Sequence, residues 1–271
     1  MGSYEREISA AAAILAKTKK AVAFCGSGVS AESGISTFRD PGGIWERIDP
    51  MEAGTAGGLI FSLSENPEKM MQIFLELLAA FEKAECNPGH LALADLENMG
   101  ILETIITQNV DNLQNEAGNR TIIEMHGNLL RMACLSCGVK KKLDRKPLIR
   151  DLKQTLMNLK DYTLASLLTL APRCDVCNSI MRPDIVMFGE AVQDLPRAFG
   201  AGRECDAMLV LGTSGVVYPA AELPFEAKSR GADIIVVNPN ENPFEEITDV
   251  YIPMKTGVAL PAIVDKTRKL Q

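Results

Sequence analysis

The chain has 271 residues, with 28 Lys and Arg against 35 Asp and Glu and a formal net charge of −7. Hydrophobic residues make up 46%, charged residues 23% and aromatics 5%, which excludes a disordered or fibrous chain. The acidic balance argues against a broad nucleic-acid footprint, and no apolar run reaches the ~18 residues of a membrane span, so neither is expected as a direct partner.

An Ala-rich stretch over residues 8–16 runs into Lys17, Lys19 and Lys20. It predicts an amphipathic helix with cations at its C-terminal end, not an export signal. Residues 21–25, Ala-Val-Ala-Phe-Cys, form an apolar run that predicts a buried strand. Gly26-Ser27-Gly28 and Ala31 follow that strand and are expected to open a helix. In that context glycines admit a dinucleotide pyrophosphate to the backbone, while a tight turn without ligand is the other reading. A dehydrogenase of this kind carries an acid about 20 residues further on, at the end of a second strand. Glu46 and Asp49 instead lie in a Pro/Gly-rich stretch, so hydride transfer is disfavoured. Arg39 suits a bidentate phosphate clamp and Phe38 a shield against water, with a surface Arg and a core Phe as the alternative.

Residues 40–58 hold Pro41, Gly42, Gly43, Pro50, Gly54, Gly57 and Gly58 and read as loop. Residues 67–84 repeat apolar side chains (Met70, Met71, Phe74, Leu77, Leu78, Phe81) at helical spacing. A helix over 89–99 follows, with His90 read as a capping or packing residue. Residues 102–107 predict a second strand, which ends in the polar cluster Gln108-Asn109-Val110-Asp111. Such a cluster suits a bound amide or ribose, or a helix cap. A third strand over 121–125 ends at His126, a candidate general base.

Seven cysteines, an odd number, point to a reducing compartment and a cytoplasmic protein. Cys134-x-x-Cys137 and Cys174-x-x-Cys177 are separated by 36 residues. Four thiolates suit tetrahedral Zn²⁺ and close its coordination sphere, so the metal is expected to be structural. The gap exceeds the usual span of about 15–20 residues, which implies an insertion with a Lys-rich connector. The module lacks the interleaved aromatics of a nucleic-acid ribbon.

Strands are predicted over 207–211 and 233–237, and helices over 218–230 and 257–270. The runs 182–190 and 212–219 each read as a strand entering a glycine-containing loop, as does Val237-Asn238-Pro239-Asn240 without the glycine. The hydroxyls of Thr213 and Ser214, next to Gly212, suit phosphate or ribose. Apolar strands alternating with helices predict a doubly wound α/β fold with a parallel sheet covered on both faces.

Taken in order, GSGVSAESGISTFRD, TQNVDNL, EMHG, the two Cys-x-x-Cys pairs, RPDIVMFGE, GTSGVVYP and VNPNE resemble the sirtuin family of NAD-dependent protein deacylases. The resemblance implies a Rossmann-like NAD-binding domain over 1–38, 88–130 and 182–271. It implies a cofactor loop and helical part over 39–87 and a zinc module over 131–181, with NAD and an acyl-lysine peptide meeting between the two domains. NAD would be bound by Gly26, Ser27, Gly28, Ala31, Glu32, Ile35, Phe38, Arg39, Gln108, Asn109 and Asp111, and by Gly212, Thr213, Ser214, Asn238, Pro239 and Asn240. His126, Asn109 and Asp111 would be catalytic. His126 would deprotonate a ribose hydroxyl after the acyl oxygen has displaced nicotinamide, giving O-acyl-ADP-ribose and free lysine. The peptide would lie along Val186, Phe188, Gly189 and Glu190 and along Val216 and Val217, with the acyl group near Phe74 and Leu77.

Members that remove succinyl or malonyl groups carry a Tyr-x-x-Arg pair at positions that fall near Phe74 and Leu77, so neutral acyl groups are expected here. Ser27, Gln114 and Gly215 depart from the family pattern. An NAD glycohydrolase or mono-ADP-ribosyltransferase on the same scaffold is the alternative.

Overall fold

A computed structural model describes residues 4–35, 54–159 and 161–271. The chain divides into two compact units. The first comprises Met1–Ser33, Glu85–His126 and Val192–Gln271, and the second Gly34–Ala84 and Gly127–Ala191.

The first unit is built on six strands: β1 (Ala21–Cys25), β2 (Leu102–Thr107), β3 (Ile122–Glu124), β7 (Ala207–Leu211), β8 (Asp233–Val237) and β9 (Val250–Ile252). Their order is β3-β2-β1-β7-β8-β9, and every adjacent pair is parallel. All five residues of β1 and of β7 are buried. Alternate side chains serve opposite faces, as a pleated strand requires. Ala21, Ala23 and Cys25 join one core with α1 (Glu5–Leu15), α4 (Pro88–Asn98) and α10 (Thr256–Leu270). Val22 and Phe24 join the other, with α8 (Leu195–Glu204) and α9 (Leu223–Ser229). A single turn of helix, α5 (Leu113–Glu116), leads from the β2 loop toward β3. The strand order reverses between β1 and β7. Doubly wound sheets hold ligands outside the carboxyl ends of their strands at such a switch point.

Two loops meet at this point because glycines stand where their backbones touch. Gly26 N donates to Leu211 O at 2.9 Å and Gly28 N to Gly212 O at 2.8 Å. A Cβ on Gly26 would lie 2.6 Å from Gly212 O, and one on Gly212, whose φ is +55°, 2.6 Å from Gly28 C. These glycines therefore pack the β1 and β7 loops on each other. Gly212→Ala is expected to lower stability by about 2–4 kcal/mol in urea denaturation, from left-handed strain plus overpacking. An unchanged midpoint would contradict this packing role.

The second unit holds the antiparallel sheet β5-β4-β6, formed by β4 (Gly127–Cys134), β5 (Lys140–Lys142) and β6 (Met181–Ile185). It also holds α2 (Ala56–Glu65), α3 (Pro67–Lys83), α6 (Arg145–Met157) and α7 (Leu164–Thr169). Leu63 and Met70 form a small core with Leu59, Phe74 and Leu167. Arg145 Nη1 donates to Phe81 O at 2.9 Å, and Lys153 pairs with Glu82 at 2.6 Å, which ties α6 to α3.

Several expectations are corrected. Residues 127–130 and 182–191 belong to the second unit, as do residues 34–35, because β4 and β6 pair with each other and not with the parallel sheet, while residues 85–87 belong to the first. Gly57 and Gly58 lie in α2, not in a loop: Thr55 Oγ1 accepts from Gly58 N and caps a run that continues Leu-Ile-Phe. The segment after β1 forms two short 3₁₀ turns, Ser27–Val29 and Ala31–Ser33, instead of a helix. The connector between the cysteine pairs contains α6 and α7. The helix expected over 218–230 starts later, as a 3₁₀ turn at Ala220 followed by α9. Phe38 and Arg39 lie outside the described residues, as does most of the Pro/Gly stretch. Among the described residues no helix is long and apolar enough to cross a membrane.

Candidate active site and cysteine cluster

Five loops leave the carboxyl edge of the six-stranded sheet, and each carries predicted site residues. Gly26 to Ile35 follow β1, Gln108 to Asp111 follow β2, His126 follows β3, Gly212 to Val217 follow β7, and Asn238 to Asn240 follow β8.

His126 is half-buried, and its Nδ1 lies 3.1 Å from Gln108 O. A carbonyl oxygen only accepts, so Nδ1 carries the proton of the neutral ring and Nε2 keeps its lone pair. Burial lowers the His126 pKa below the ordinary histidine value, and the bond to Gln108 O opposes this only in part. The ring is therefore neutral at physiological pH, with Nε2 ready to take a proton. Gln108 is fixed in turn, its Nε2 donating to Thr213 Oγ1 at 3.2 Å.

Asn109 and Asp111 are buried. Asn109 Nδ2 donates to Gly26 O at 3.0 Å and to Ser30 Oγ at 3.2 Å. Asp111 Oδ1 accepts from Leu113 N at 2.9 Å, and Oδ2 from Ser30 Oγ at 2.7 Å. Ser30 is 1% exposed and lies at the centre of this network, although sequence reasoning placed no role on it. His90 also reaches it, with Nε2 at 3.4 Å from Ser30 Oγ. His90 does cap α4, in a reciprocal box with Asn87, as expected. The Asn-Pro-Gly-His run announced that cap, but no sequence signal announced its link to Ser30.

Other predicted residues are partly engaged. Glu32 is exposed, and its Oε2 accepts from Gly257 N at 2.7 Å, so it ties the 3₁₀ turn to the start of α10. Asn238 Nδ2 is spent on Thr213 O at 3.2 Å and Glu241 O at 2.9 Å, which shapes the β8 loop. Ser27 and Gly28 are half-buried, while Ala31, Ser214, Pro239 and Asn240 are exposed. In the second unit, Glu190 Oε2 accepts from Arg182 Nη2 at 2.7 Å and from Met187 N at 3.0 Å. The Arg182 bond holds the Glu190 carboxyl below its usual range. This carboxylate therefore folds its own loop, in which Phe188 N also bonds Gly54 O at 2.9 Å. Val186 and Phe188 are half-buried and Gly189 is exposed, while in the first unit Val216 is exposed and Val217 half-buried. Phe74 packs in the α2–α3 core, and Leu77 is half-buried on α3.

The four cysteines of the second unit converge, with all Sγ atoms within 4.8 Å of one another. Cys134 Sγ is 3.4 Å from Cys177 Sγ, and Cys137 Sγ is 3.6 Å from Cys174 Sγ. A Zn–S bond of about 2.3 Å in a tetrahedron gives S–S edges of about 3.8 Å, so the donor set fits Zn²⁺. Backbone N–H groups of Cys137 and Ser136 point at Cys134 Sγ and pull its pKa down to about 6, toward the thiolate a metal needs. No ligand position stays open, which makes this a structural site.

The motif order is decided by direct comparison: residues 26–219 match the Sir2 family. The chain belongs to that family. The NAD-dependent protein deacylase of Desulfosudis oleivorans is 55% identical over 267 residues, covering 98% of each chain. That of Pyrococcus abyssi is 40% identical over 262 residues, 96% of this chain and 97% of its own. A Sir2 homologue solved as its NAD complex is 35% identical with a TM-score of 0.76, covering 96% of this chain and 94% of its own. A Sir2 protein bound to a myristoylated histone peptide is 34% identical with a TM-score of 0.72, covering 98% of each chain. The Rossmann-like core and the four-cysteine cluster of this chain accord with Sir2 membership.

Proposed function

We propose that this Sir2 protein is an NAD-dependent protein-lysine deacylase. It transfers the acyl group of an acyl-lysine to ADP-ribose and releases nicotinamide, O-acyl-ADP-ribose and free lysine. The observation that carries the reading is His126: its Nδ1–H is committed to Gln108 O, and its basic Nε2 stands at the sheet edge that also presents Asn109 and Asp111. The polar loops at the β1/β7 switch point suit a dinucleotide. The curated relatives bear the same activity in their names.

Bound NAD supplies the ribose that accepts the acyl group and the nicotinamide that leaves. Asp111 and Asn109, rigidly held, orient the carboxamide. Ile35 contributes its backbone to the same group. Ser27, Gly28, Thr213 and Ser214 line the diphosphate, and Gln108 positions the ribose. His126 Nε2 takes the ribose hydroxyl proton. Segments 186–190 and 215–218 serve the peptide. The Zn²⁺ held by Cys134, Cys137, Cys174 and Cys177 braces the fold and takes no part in the reaction. Seven cysteines, none of them in a disulfide among the described residues, suit a cytoplasmic setting.

The acyl group is neutral. Phe74, Leu75, Leu77 and Leu78 on α3 offer no cation to a terminal carboxylate. Leaving a buried carboxylate unpaired costs several kcal/mol, so kcat/KM for an acetyl-lysine peptide is expected to exceed that for the succinyl form by ~100-fold or more. Mass spectrometry of both peptides with NAD tests this. Succinyl removal at an equal or greater rate would refute the preference, and no NAD-dependent removal of any acyl group would refute the function.

A further inference from the structure

We propose that the tip of the cysteine module is a docking surface for the substrate protein. It takes an acidic segment with aliphatic side chains, lying apart from the acyl-lysine in the same chain. The inference rests on the deacylase reading and names the kind of protein that reading leaves open.

Aliphatic side chains stand in water at this tip. Leu135 is 62% exposed and Val176 73%. They adjoin Cys134 and Cys177, whose sulfurs lie 3.4 Å apart, so the two knuckles bring them to one place. Val139 is exposed beside them, its O accepting from Cys134 N at 3.0 Å. A partner that covers these side chains removes apolar surface from water.

The surroundings set the partner's charge. Residues 131–159 hold eight Lys and Arg against two Asp, in a chain whose net charge is −7. β5 is an edge strand made of Lys140, Lys141 and Lys142, all exposed. Lys140 pairs with Asp184 at 2.9 Å and Lys141 with Asp175 at 2.8 Å. Lys142, Lys146 and Arg173 are exposed and form no ion pair among the described residues. Lysines on an edge strand guard it against stray pairing. Lys146 on α6 and Arg173 beside Cys174 lie off that strand, so guarding does not account for them. Unmatched cations around aliphatic side chains complement carboxylates interspersed with aliphatic residues. The aliphatic tip favours such a protein segment over a nucleic acid, whose contacts are mostly with phosphate and sugar.

The tip is continuous with the segment that serves the peptide. The first residue of β6, Met181, pairs with Cys134, and Leu135 N donates to Ile180 O at 3.0 Å. β6 then leads directly into residues 186–190. Six residues of strand span ~20 Å. A substrate held at 186–190 reaches the tip with a short stretch of its own chain, which makes the second contact intramolecular.

The experiment uses the full-length protein, NAD and three acetyl-lysine peptides. Each carries a Gly/Ser linker of about 14 residues, with a mean span of ~20 Å. One ends at the linker, one continues into a Glu/Asp/Leu tail and one into a Lys/Ser tail, with the linker placed on each side of the lysine in turn. In at least one placement the acidic tail is expected to lower KM about 3–10-fold with kcat unchanged, the scale of a few surface ion pairs and one apolar contact. The Lys/Ser tail should give no gain. The gain should vanish in Lys142→Glu/Lys146→Glu and in about 0.5 M NaCl, and shrink in Val176→Ser. Both variants should keep their zinc and turn over the untailed peptide as the wild type does. Fluorescence anisotropy of the labelled acidic tail alone reads the same surface without turnover. Equal KM values for tailed and untailed peptides in both placements, or a gain that survives in the double variant, would overturn the proposal. So would a short DNA duplex that binds wild type but not the double variant while the acidic tail binds neither. A wild type that deacylates nothing would instead sink the deacylase reading, and the anisotropy would still decide whether the tip holds the acidic tail.

Discussion

His126→Ala is expected to lower kcat for deacylation by ~10²–10⁴-fold, the ordinary worth of a positioned general base. The fold should be unaffected, because the ring is tied to the chain through Gln108 O and lies only half-buried at a strand end. The base acts after nicotinamide has left, so exchange of labelled nicotinamide into NAD should fall far less than peptide turnover. The pH dependence carries the same signature. Burial lowers the His126 pKa below its ordinary value of 6.5. A base works deprotonated, so kcat/KM should rise with pH through that lowered value and be level above pH 6.5. An acid limb centred above that ordinary value, or full turnover by the alanine variant, would assign the proton transfer elsewhere.

Cys174→Ala should cost the second unit its structure. Cys174 is 3% exposed and packs with Met132, Cys134 and Met181 in a small core around the metal-binding thiols. That core is too small to hold β4, β5 and β6 together unaided. Structural zinc contributes about 10–16 kcal/mol in small zinc modules, comparable with the roughly 5–15 kcal/mol stability of a whole domain. Wild-type protein is expected to contain one zinc per chain, and the variant none. Hydrogen exchange should show loss of protection in β4 and β6, while β1, β7 and β8 stay protected by their own two cores. A variant with normal protection in β4 would show that the cysteines are dispensable to the fold.

The central strands of the large sheet were legible because each is a short run buried on both faces. Residues 21–25, 207–211 and 233–237 offer almost nothing but apolar side chains, and the structure places strands at those residues. β4 was not legible. Its burial alternates along Gly127–Cys134, and it begins directly after the His126 motif, so its sequence reads as a continuation of the site. β9 has three residues and finds its place only by pairing with β8. The glycines of the first loop were legible as a need for close approach, but the approaching group is the β7 backbone as well as any ligand. For the site, the chemistry of His126, Asn109 and Asp111 was readable from residue type at strand ends. Ser30 was not, because a serine inside a glycine-rich turn carries no pattern, and its role arises only from four side chains meeting in space.

The central claim is that acyl removal and NAD cleavage are one coupled transfer. It is tested most directly by following purified protein, NAD and one acetyl-lysine peptide by mass spectrometry, counting all products in a single reaction. The account predicts deacetylated peptide, nicotinamide and acetyl-ADP-ribose in equal amounts, with no nicotinamide formed when the peptide is left out. Nicotinamide and plain ADP-ribose released without the peptide, or acetate in place of acetyl-ADP-ribose from the first turnovers, would contradict it.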